Sequence, residues 1–279
     1  MNDTQKSIAD DINNLLTKFK RTDDYRVPDS YLFKKINQAR ASLIVKQYKD
    51  TDTLDYSWFT DMGLIDFHVV NVADDVTASY CDCPISKAFI PQVVTLPTKS
   101  VNQELSIQLR SACGKTSYTN RPLFNIRFIP KEHTYNLFKF YERINTAIYV
   151  YNKIEKLRMV AILANPEEGF YIRSTPIVSG SIVSGTAYIV SGGQVIYDSI
   201  VYDIGDTFTG TATTTYVGSG KVYLESQKTA YIETYPYPVS AEMARDIVFE
   251  ICTKEFGIER GQIADVRNDG EDDTQKGQK

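Results

Sequence analysis

The chain has 279 residues, of which 42% are hydrophobic and 24% are charged. This length is enough for one large or two small cores, so stability does not require disulfide bonds. A formal net charge of −4, with Lys and Arg scattered along the chain, argues against a surface for duplex nucleic acid. The 19 Tyr residues against one Trp favour strands, so we expect sheet to outweigh helix.

Neither secretion nor membrane insertion is expected. The segment Met1–Lys6 lacks the basic and apolar regions of a secretory signal, which predicts synthesis in the cytosol. The segment Ser174–Tyr197 has no charged residue and is long enough to cross a bilayer. Its apolar runs are short and interrupted by glycines, which predicts strands and tight turns and no membrane partner.

No metal or cofactor site is predicted. The cysteines do not have the spacing of two paired zinc knuckles, so reduced thiols are favoured over zinc; they are Cys81, Cys83, Cys113 and Cys252. The acidic stretch Asp265–Asp273 has residue types found in calcium loops, but it lacks the alternate ligand spacing and the closing glutamate. We expect a solvated, mobile acidic tail over residues 265–279.

The sequence offers no recognisable catalytic set, so we expect no enzyme. A Ser-His-acid or Cys-His site would have to use His68 or His133, and no nucleophile motif accompanies either of them. Gly114-Lys115-Thr116 resembles the end of a phosphate-binding loop, but the required upstream glycine is replaced by Leu109. A hydrolase would have only scattered carboxylates to use, such as Glu104, Glu142 and Glu225.

Two amphipathic helices are predicted near the N-terminus. Apolar residues recur at helical spacing over Ile8–Phe19, and this pattern ends near Arg21. After a linker that contains a proline, Asp29 or Ser30 can cap a second helix, which runs to about Lys49.

A sheet is predicted after Gly63, where the apolar period changes from the helical value to the alternation of a strand in Leu64–Asn71. The loop Asn152–Lys156 is predicted to join two strands as a hairpin. Further predicted strands are Gln92–Leu96, Glu104–Leu109, Phe124–Ile129, Asn145–Tyr151 and Leu157–Leu163.

Composition changes after Arg173. No Lys or Arg occurs again before Lys221, and eight of the 15 Gly residues lie in 180–220. We predict a small inserted β module here, with strands at Thr186–Val190, Gln194–Tyr197 and Lys221–Glu225. Packing or subunit contact is favoured over sugar binding for its tyrosines, which are Tyr188, Tyr197, Tyr202, Tyr216 and Tyr223.

A last helix is predicted after Pro238, with Ser240 as its cap and Gly257 at its end. The expected fold is α+β: an N-terminal helical hairpin and a C-terminal helix with a mainly antiparallel β domain and the inserted Gly- and Tyr-rich β module. The predicted divisions are the N-terminal helices (1–62), the β domain with the C-terminal helix (63–173 and 226–264), the inserted module (174–225) and the acidic tail (265–279).

Several short segments, in their order along the chain, form a recognisable series. The longest is Lys34–Tyr48 (KKINQARASLIVKQY) in the second helix. The others are Asp55–Phe59 (DYSWF), Ala147–Asn152 (AIYVYN), Ala164–Glu168 (ANPEE), Tyr235–Pro238 (YPYP), Phe256–Ile258 (FGI) and Asn268–Gly270 (NDG). Together they resemble the head-to-tail connector proteins of the portal vertex in crAss-like phages and related podoviruses. The resemblance covers residues 30–170 and 230–270, and the inserted module departs from it.

The resemblance implies a structural subunit of the virion that has no catalytic residues. Such a subunit forms a ring, of about twelve copies, beneath the portal and around the DNA exit channel. Its expected partners are other copies of itself, the portal and other connector or tail ring proteins, and DNA that passes without sequence-specific binding. The alternative suggested by the β module is a virion protein that binds a carbohydrate or another receptor.

Overall fold

A computed structural model of the chain describes residues 3–20, 26–70, 85–97, 105–120, 139–173, 177, 179–191, 194–202, 206–218 and 221–258. The helices in these ranges are α1 (Gln5–Lys20), α2 (Asp29–Thr51), α3 (Pro166–Arg173), α4 (Glu225–Thr234) and α5 (Ala241–Phe256), with a 3-10 turn at Tyr56–Trp58. The strands include β1 (Thr60–Asp66), β2 (His68–Val70), β3 (Ile85–Phe89), β4 (Ile107–Ser111), β5 (Ser117–Asn120), β6 (Phe140–Ile144), β7 (Ala147–Val150) and β8 (Lys156–Ala161). They continue with β9 (Ile182–Ser191), β10 (Val195–Tyr197), β11 (Ile200–Tyr202), β12 (Thr207–Gly218) and β13 (Lys221–Leu224). The predicted α+β class with mainly antiparallel pairing is confirmed.

The described residues of 1–58 and 232–279 form one compact unit, and those of 59–231 form the other. In the first unit, α5 contacts both α1 and α2. This grouping differs from the predicted division, which placed the C-terminal helix with the sheet. The reason is the apolar stripe of α5, which is buried in the helical unit; it consists of Met243, Ile247, Val248 and Ile251.

The helix ends match the sequence patterns in part. The Ser240 hydroxyl accepts a hydrogen bond from the Met243 amide at 3.2 Å, and Gly257 ends α5 in a left-handed conformation. The predicted side-chain cap of α2 is wrong, because Pro28 occupies the cap position and Asp29 is already helical. The Asp29 carboxylate instead accepts a hydrogen bond from Lys6 on α1 at 3.0 Å.

The second unit contains an eight-stranded sheet in the order β1-β8-β4-β5-β6-β7-β3-β2. All of its pairs are antiparallel except β5 with β6. Only Phe67 separates β1 from β2, so one bent segment supplies both edges and the sheet must curl. The curled sheet has a continuous buried cluster that includes Met62, Leu109, Ile148 and Met159.

The predicted hairpin through Asn152–Lys156 is wrong. Strand β7 pairs with β6 and β3, whereas β8 pairs with β1 and β4. The actual hairpin joins β6 to β7 through a two-residue turn, in which Asn145 has a φ of 55°. In place of the strand predicted at Gln92–Leu96 there is a single bridge from Val93 to Leu163, and the strand predicted at Phe124–Ile129 lies outside the described residues.

A five-stranded sheet in the order β11-β10-β12-β9-β13 has its own buried cluster. The register of β12 against β9 shifts between Thr211 and Thr215. Nearby, Gly210 faces Gly185, and a Cβ atom at Gly210 would overlap the backbone carbonyl of Val183. Gly210 therefore permits a close approach of β12 to β9 that a larger residue would block, whereas Gly185 has a φ of 96°, a conformation that favours glycine.

Among the described residues, no helix has the length and hydropathy needed to span a bilayer.

Candidate interaction surface

The histidine and cysteine side chains that the structure describes occupy separate places. His68 is exposed on β2, Cys113 is exposed in the turn after β4, and Cys252 is buried in α5. A hydrogen bond with the Ser111 hydroxyl lowers the pKa of the Cys113 thiol. His133, Cys81 and Cys83 lie outside the described residues, as does the whole acidic stretch 265–273. Within the described part of the chain, no three His, Cys, Asp or Glu side chains are grouped to hold a metal.

The motif Gly114-Lys115-Thr116 lies in the connection between strands β4 and β5. Gly114 has a φ of 75°, and its amide donates a hydrogen bond to the Ser111 carbonyl at 2.7 Å. A phosphate-binding loop joins a strand to a helix, so this glycine serves a strand-to-strand turn instead.

The carboxylates considered for hydrolysis interact with tyrosines of different sheets. The Tyr151 hydroxyl donates a hydrogen bond to Glu142 at 2.8 Å, and burial together with this bond raises the pKa of Tyr151. Glu225 is the first residue of α4. The pKa of Tyr188 on β9 is raised mainly by the partial burial of Tyr188 and, to a lesser degree, by the negative charge of Glu225. Glu104 lies outside the described residues.

Most tyrosines of the five-stranded sheet are buried. The Tyr197 ring stacks on Phe208 with centroids 4.6 Å apart, and its hydroxyl accepts a hydrogen bond from the Thr211 amide at 2.9 Å. The Tyr216 hydroxyl donates to the Ile177 carbonyl, and burial raises the pKa of Tyr223 to about 12. These contacts agree with core packing for Tyr197, Tyr216 and Tyr223, while Tyr188 and Tyr202 are half-buried.

An exposed row of aliphatic side chains crosses the opposite face of this sheet. Ile196 on β10 pairs in register with Val201 on β11 and with Val217 on β12. Directly paired residues point to the same face of a sheet, so the three side chains are neighbours. Their exposed fractions are 46%, 54% and 59%, respectively. We call Val201, Ile196 and Val217 the aliphatic row.

The segment that supplies the aliphatic row, residues 174–220, contains three Asp residues and no Lys or Arg. One of these, Asp198, is exposed in the tight turn between β10 and β11, with a φ of 50°. The structure gives Asp198 no ion pair with any described residue. The row is therefore an apolar strip with an acidic tip.

A second row lies on the outer face of the eight-stranded sheet. Arg158 on β8 pairs in register with Leu64 on β1 and with Arg110 on β4. Leu64 is 49% exposed, and the Arg158 guanidinium lies 2.6 Å from the Asp61 carboxylate. Arg110 is exposed and has no ion pair within the described part of the chain. We call Leu64, Arg158 and Arg110 the arginine row.

The helical unit contains a fully buried arginine. Arg40 on α2 donates a hydrogen bond from Nε to the Pro238 carbonyl at 3.0 Å and one from Nη2 to the Trp58 carbonyl at 2.7 Å. Its guanidinium also lies 5.7 Å from the centroid of the Tyr237 ring. We call these contacts the Arg40 junction; it joins α2, the 3-10 turn and the segment before α5.

Sequence reasoning did not single out Arg40, the aliphatic row or the arginine row. An arginine in an amphipathic helix is usually taken as solvent-exposed, and only strand register shows which residues of a sheet become neighbours. A scan against known protein families finds no matching model, and a search of curated proteins finds no match.

Proposed function

We propose that this chain is a structural subunit of a tailed-phage particle that forms a ring in the head-to-tail connector. The ring lies below the portal and surrounds the DNA exit path, with about twelve copies that contact each other around the circle. The chain acts by assembly and carries no catalytic residues. Its partners are other copies of itself, the portal and neighbouring connector or tail proteins, and its location is the virion.

The Arg40 junction is the observation that best supports this proposal. Three of the segments that resemble connector proteins supply its parts: Arg40 lies in Lys34–Tyr48, Trp58 in Asp55–Phe59, and Tyr237 in Tyr235–Pro238. Tyr235–Pro238 is far from the other two segments in the chain, yet all three meet at one buried guanidinium. A shared packing arrangement gives a physical reason for the three to occur together.

Within this proposal, the five-stranded sheet is a peripheral module inserted between the strands of the larger sheet and the last helix. Its buried cluster consists of residues from Ile177 to Leu224 alone, which suits a module with its own core. The helical hairpin of α1 and α2, with α5, forms the helical core of the ring subunit. The module has the exposed apolar strip that an assembling subunit needs.

The second candidate function is recognition of a carbohydrate or another receptor by this module. Sugar rings stack on exposed aromatic faces, but Tyr197, Tyr216 and Tyr223 are buried. Only Tyr188 and Tyr202 remain partly accessible. A glycan array with the full chain and with Tyr202→Ala tests this candidate, and binding that Tyr202→Ala abolishes would favour it over the connector.

Mass measurement with and without the portal tests the connector proposal. The full chain and the portal protein of the same phage are purified and their masses are measured separately and after mixing. We expect a multimer of the chain that binds the portal ring, whether it forms alone or only on the portal. A chain that stays monomeric and does not bind the portal would contradict the proposal.

A further inference from the structure

The aliphatic row exposes more apolar side chain than is usual for a surface that contacts only solvent. Three neighbouring β-branched side chains on three strands, each about half exposed, make a continuous strip. Strand β11 is the edge of the sheet, and its residues Ile200, Val201 and Tyr202 include no charge or proline that would prevent contact with another chain. This strip is complementary to a partner surface that combines apolar side chains with a positively charged group able to form an ion pair with Asp198.

The arginine row carries an excess of positive charge, which complements the acidic Asp198 beside the aliphatic row. Arg158 and Arg110 face each other directly, and like charges in directly paired positions destabilise a sheet. Asp61 offsets the charge of Arg158, whereas Arg110 has no acidic partner among the described residues. The exposed Leu64 lies on the other side of Arg158. This surface suits a partner that brings one carboxylate and an apolar strip.

We infer that the aliphatic row of one copy binds the arginine row of a second copy of this chain, an inference that rests on the proposed ring. Asp198 supplies the carboxylate for Arg110, and Leu64 packs on the aliphatic row. Because the two rows are different surfaces of one chain, the contact is heterologous and can repeat around a circle. The aliphatic Leu64 and the Asp61 carboxylate beside Arg158 favour a protein partner over nucleic acid.

Mixing two variants tests the contact and its polarity. Val217→Asp alters only the aliphatic row, and Leu64→Asp alters only the arginine row. Masses of the full-length wild type, each variant and their mixture are measured over a range of concentrations. Each variant alone should assemble at a concentration about tenfold or more above that of the wild type, because a charge enters an apolar contact. The mixture should form dimers that do not grow, because one intact aliphatic row meets one intact arginine row.

Two controls accompany this test. Val69→Asp introduces the same charge at another exposed aliphatic position, on β2, and should assemble like the wild type. Asp198→Asn and Arg110→Gln should each weaken assembly, and the double variant should lose no more than either single variant if the two side chains are partners. Thermal unfolding checks that every variant is folded.

The outcomes separate this inference from the proposed function. If the wild type forms rings and both row variants form them equally well, the contact is wrong and the ring stands. The inference is also wrong if Arg110→Gln weakens retention of DNA without affecting assembly. A wild-type chain that remains monomeric with and without the portal overturns both proposals.

Discussion

At the scale of single residues, Arg40 is the side chain on which the helical unit most depends. A charged group is rarely buried completely unless its donors are used, and here Nε and Nη2 both donate to backbone carbonyls. The hydroxyl of Tyr237 also donates to Asn37 at 2.7 Å, and Gln5 on α1 donates to the same Asn37 oxygen at 3.1 Å. The polar contacts of this core thus connect α1, α2 and the segment before α5.

Arg40→Ala should lower the free energy of unfolding by about 2–4 kcal/mol, because the buried Trp58 carbonyl and the part-buried Pro238 carbonyl each lose a donor and the aliphatic stem leaves a cavity. Arg40→Lys should fall between the wild type and Arg40→Ala, since lysine cannot reproduce the separate Nε and Nη2 donors. Urea denaturation measures both. Arg245→Ala, on the exposed face of α5, is the control and should change stability by less than about 0.5 kcal/mol. If Arg40→Ala is as stable as this control, the Arg40 junction does not stabilise the helical unit.

Glu255 should make part of the stability dependent on acid pH. Hydrogen bonds from Lys35 and Tyr31 on α2 hold its pKa below the ordinary value. A depressed folded-state pKa contributes stability above the unfolded pKa, about 4.3 for glutamate, and this contribution is lost as pH falls through the folded value. Glu255→Gln should therefore be less stable than the wild type at pH 7, and the difference should disappear in strong acid.

Urea denaturation at several pH values measures this difference. Glu250→Gln is the matched control, because Glu250 pairs with Lys254 on its own helix and does not link two helices. A wild-type advantage over Glu255→Gln that stays constant from pH 7 to pH 2 would show that the ion pair is not its source.

At the scale of elements, the close approach of β12 to β9 should depend on Gly210. A Cβ atom there meets backbone atoms of Val183, which cannot move aside as a flexible side chain could. Gly210→Ala should therefore reduce the free energy of unfolding by about 1–3 kcal/mol. Thr215→Ala, at an exposed position of the same strand, is the control. Equal stability of the two variants in urea denaturation would contradict the proposed role of the glycine.

Elements with a clear apolar period could be predicted from the sequence. The helices α1, α2 and α5 follow a stripe of aliphatic residues, and in β8 the buried Leu157, Met159 and Ala161 alternate with more exposed residues. Strand β12 could not be predicted in this way, because threonines alternate along it with Phe208, Gly210 and Tyr216 and the apolar signal is weak. Helix α3 begins at Pro166, where proline is favourable as the first helical residue, but its eight residues are too few to show a clear apolar period.

Strand pairing was the least predictable feature. The short loop after β7 suggested a hairpin, but β7 pairs with its other neighbour β6 and with the distant β3, and β8 pairs with the distant β1 and β4. Such pairing depends on which apolar faces fit together over the whole sheet, and local turn residues do not determine it. The aliphatic and arginine rows depend on this register, so neither could be derived before the pairing was known.

At the scale of the whole molecule, the five-stranded sheet should be removable. Replacing residues 174–225 with a short Gly-Ser linker should leave a folded protein with helix and sheet, because loop closure depends weakly on loop length. By contrast, Ile36→Asp or Ile247→Asp places a charge at a position with no exposure and should cost several kcal/mol. Circular dichroism and thermal unfolding compare the three proteins. A deletion that unfolds the chain as completely as the two aspartate substitutions would make the sheet part of the main core.

The proposed ring is tested most directly by imaging the chain in phage particles. An affinity tag at the C-terminus of the chain is labelled with gold in intact particles of the phage that is proposed to encode it, and cryo-electron microscopy locates the label. The proposed function predicts a ring of labels at the single portal vertex, between the capsid and the tail. Labels at the distal end of the tail, over the capsid faces or nowhere on the particle would contradict it.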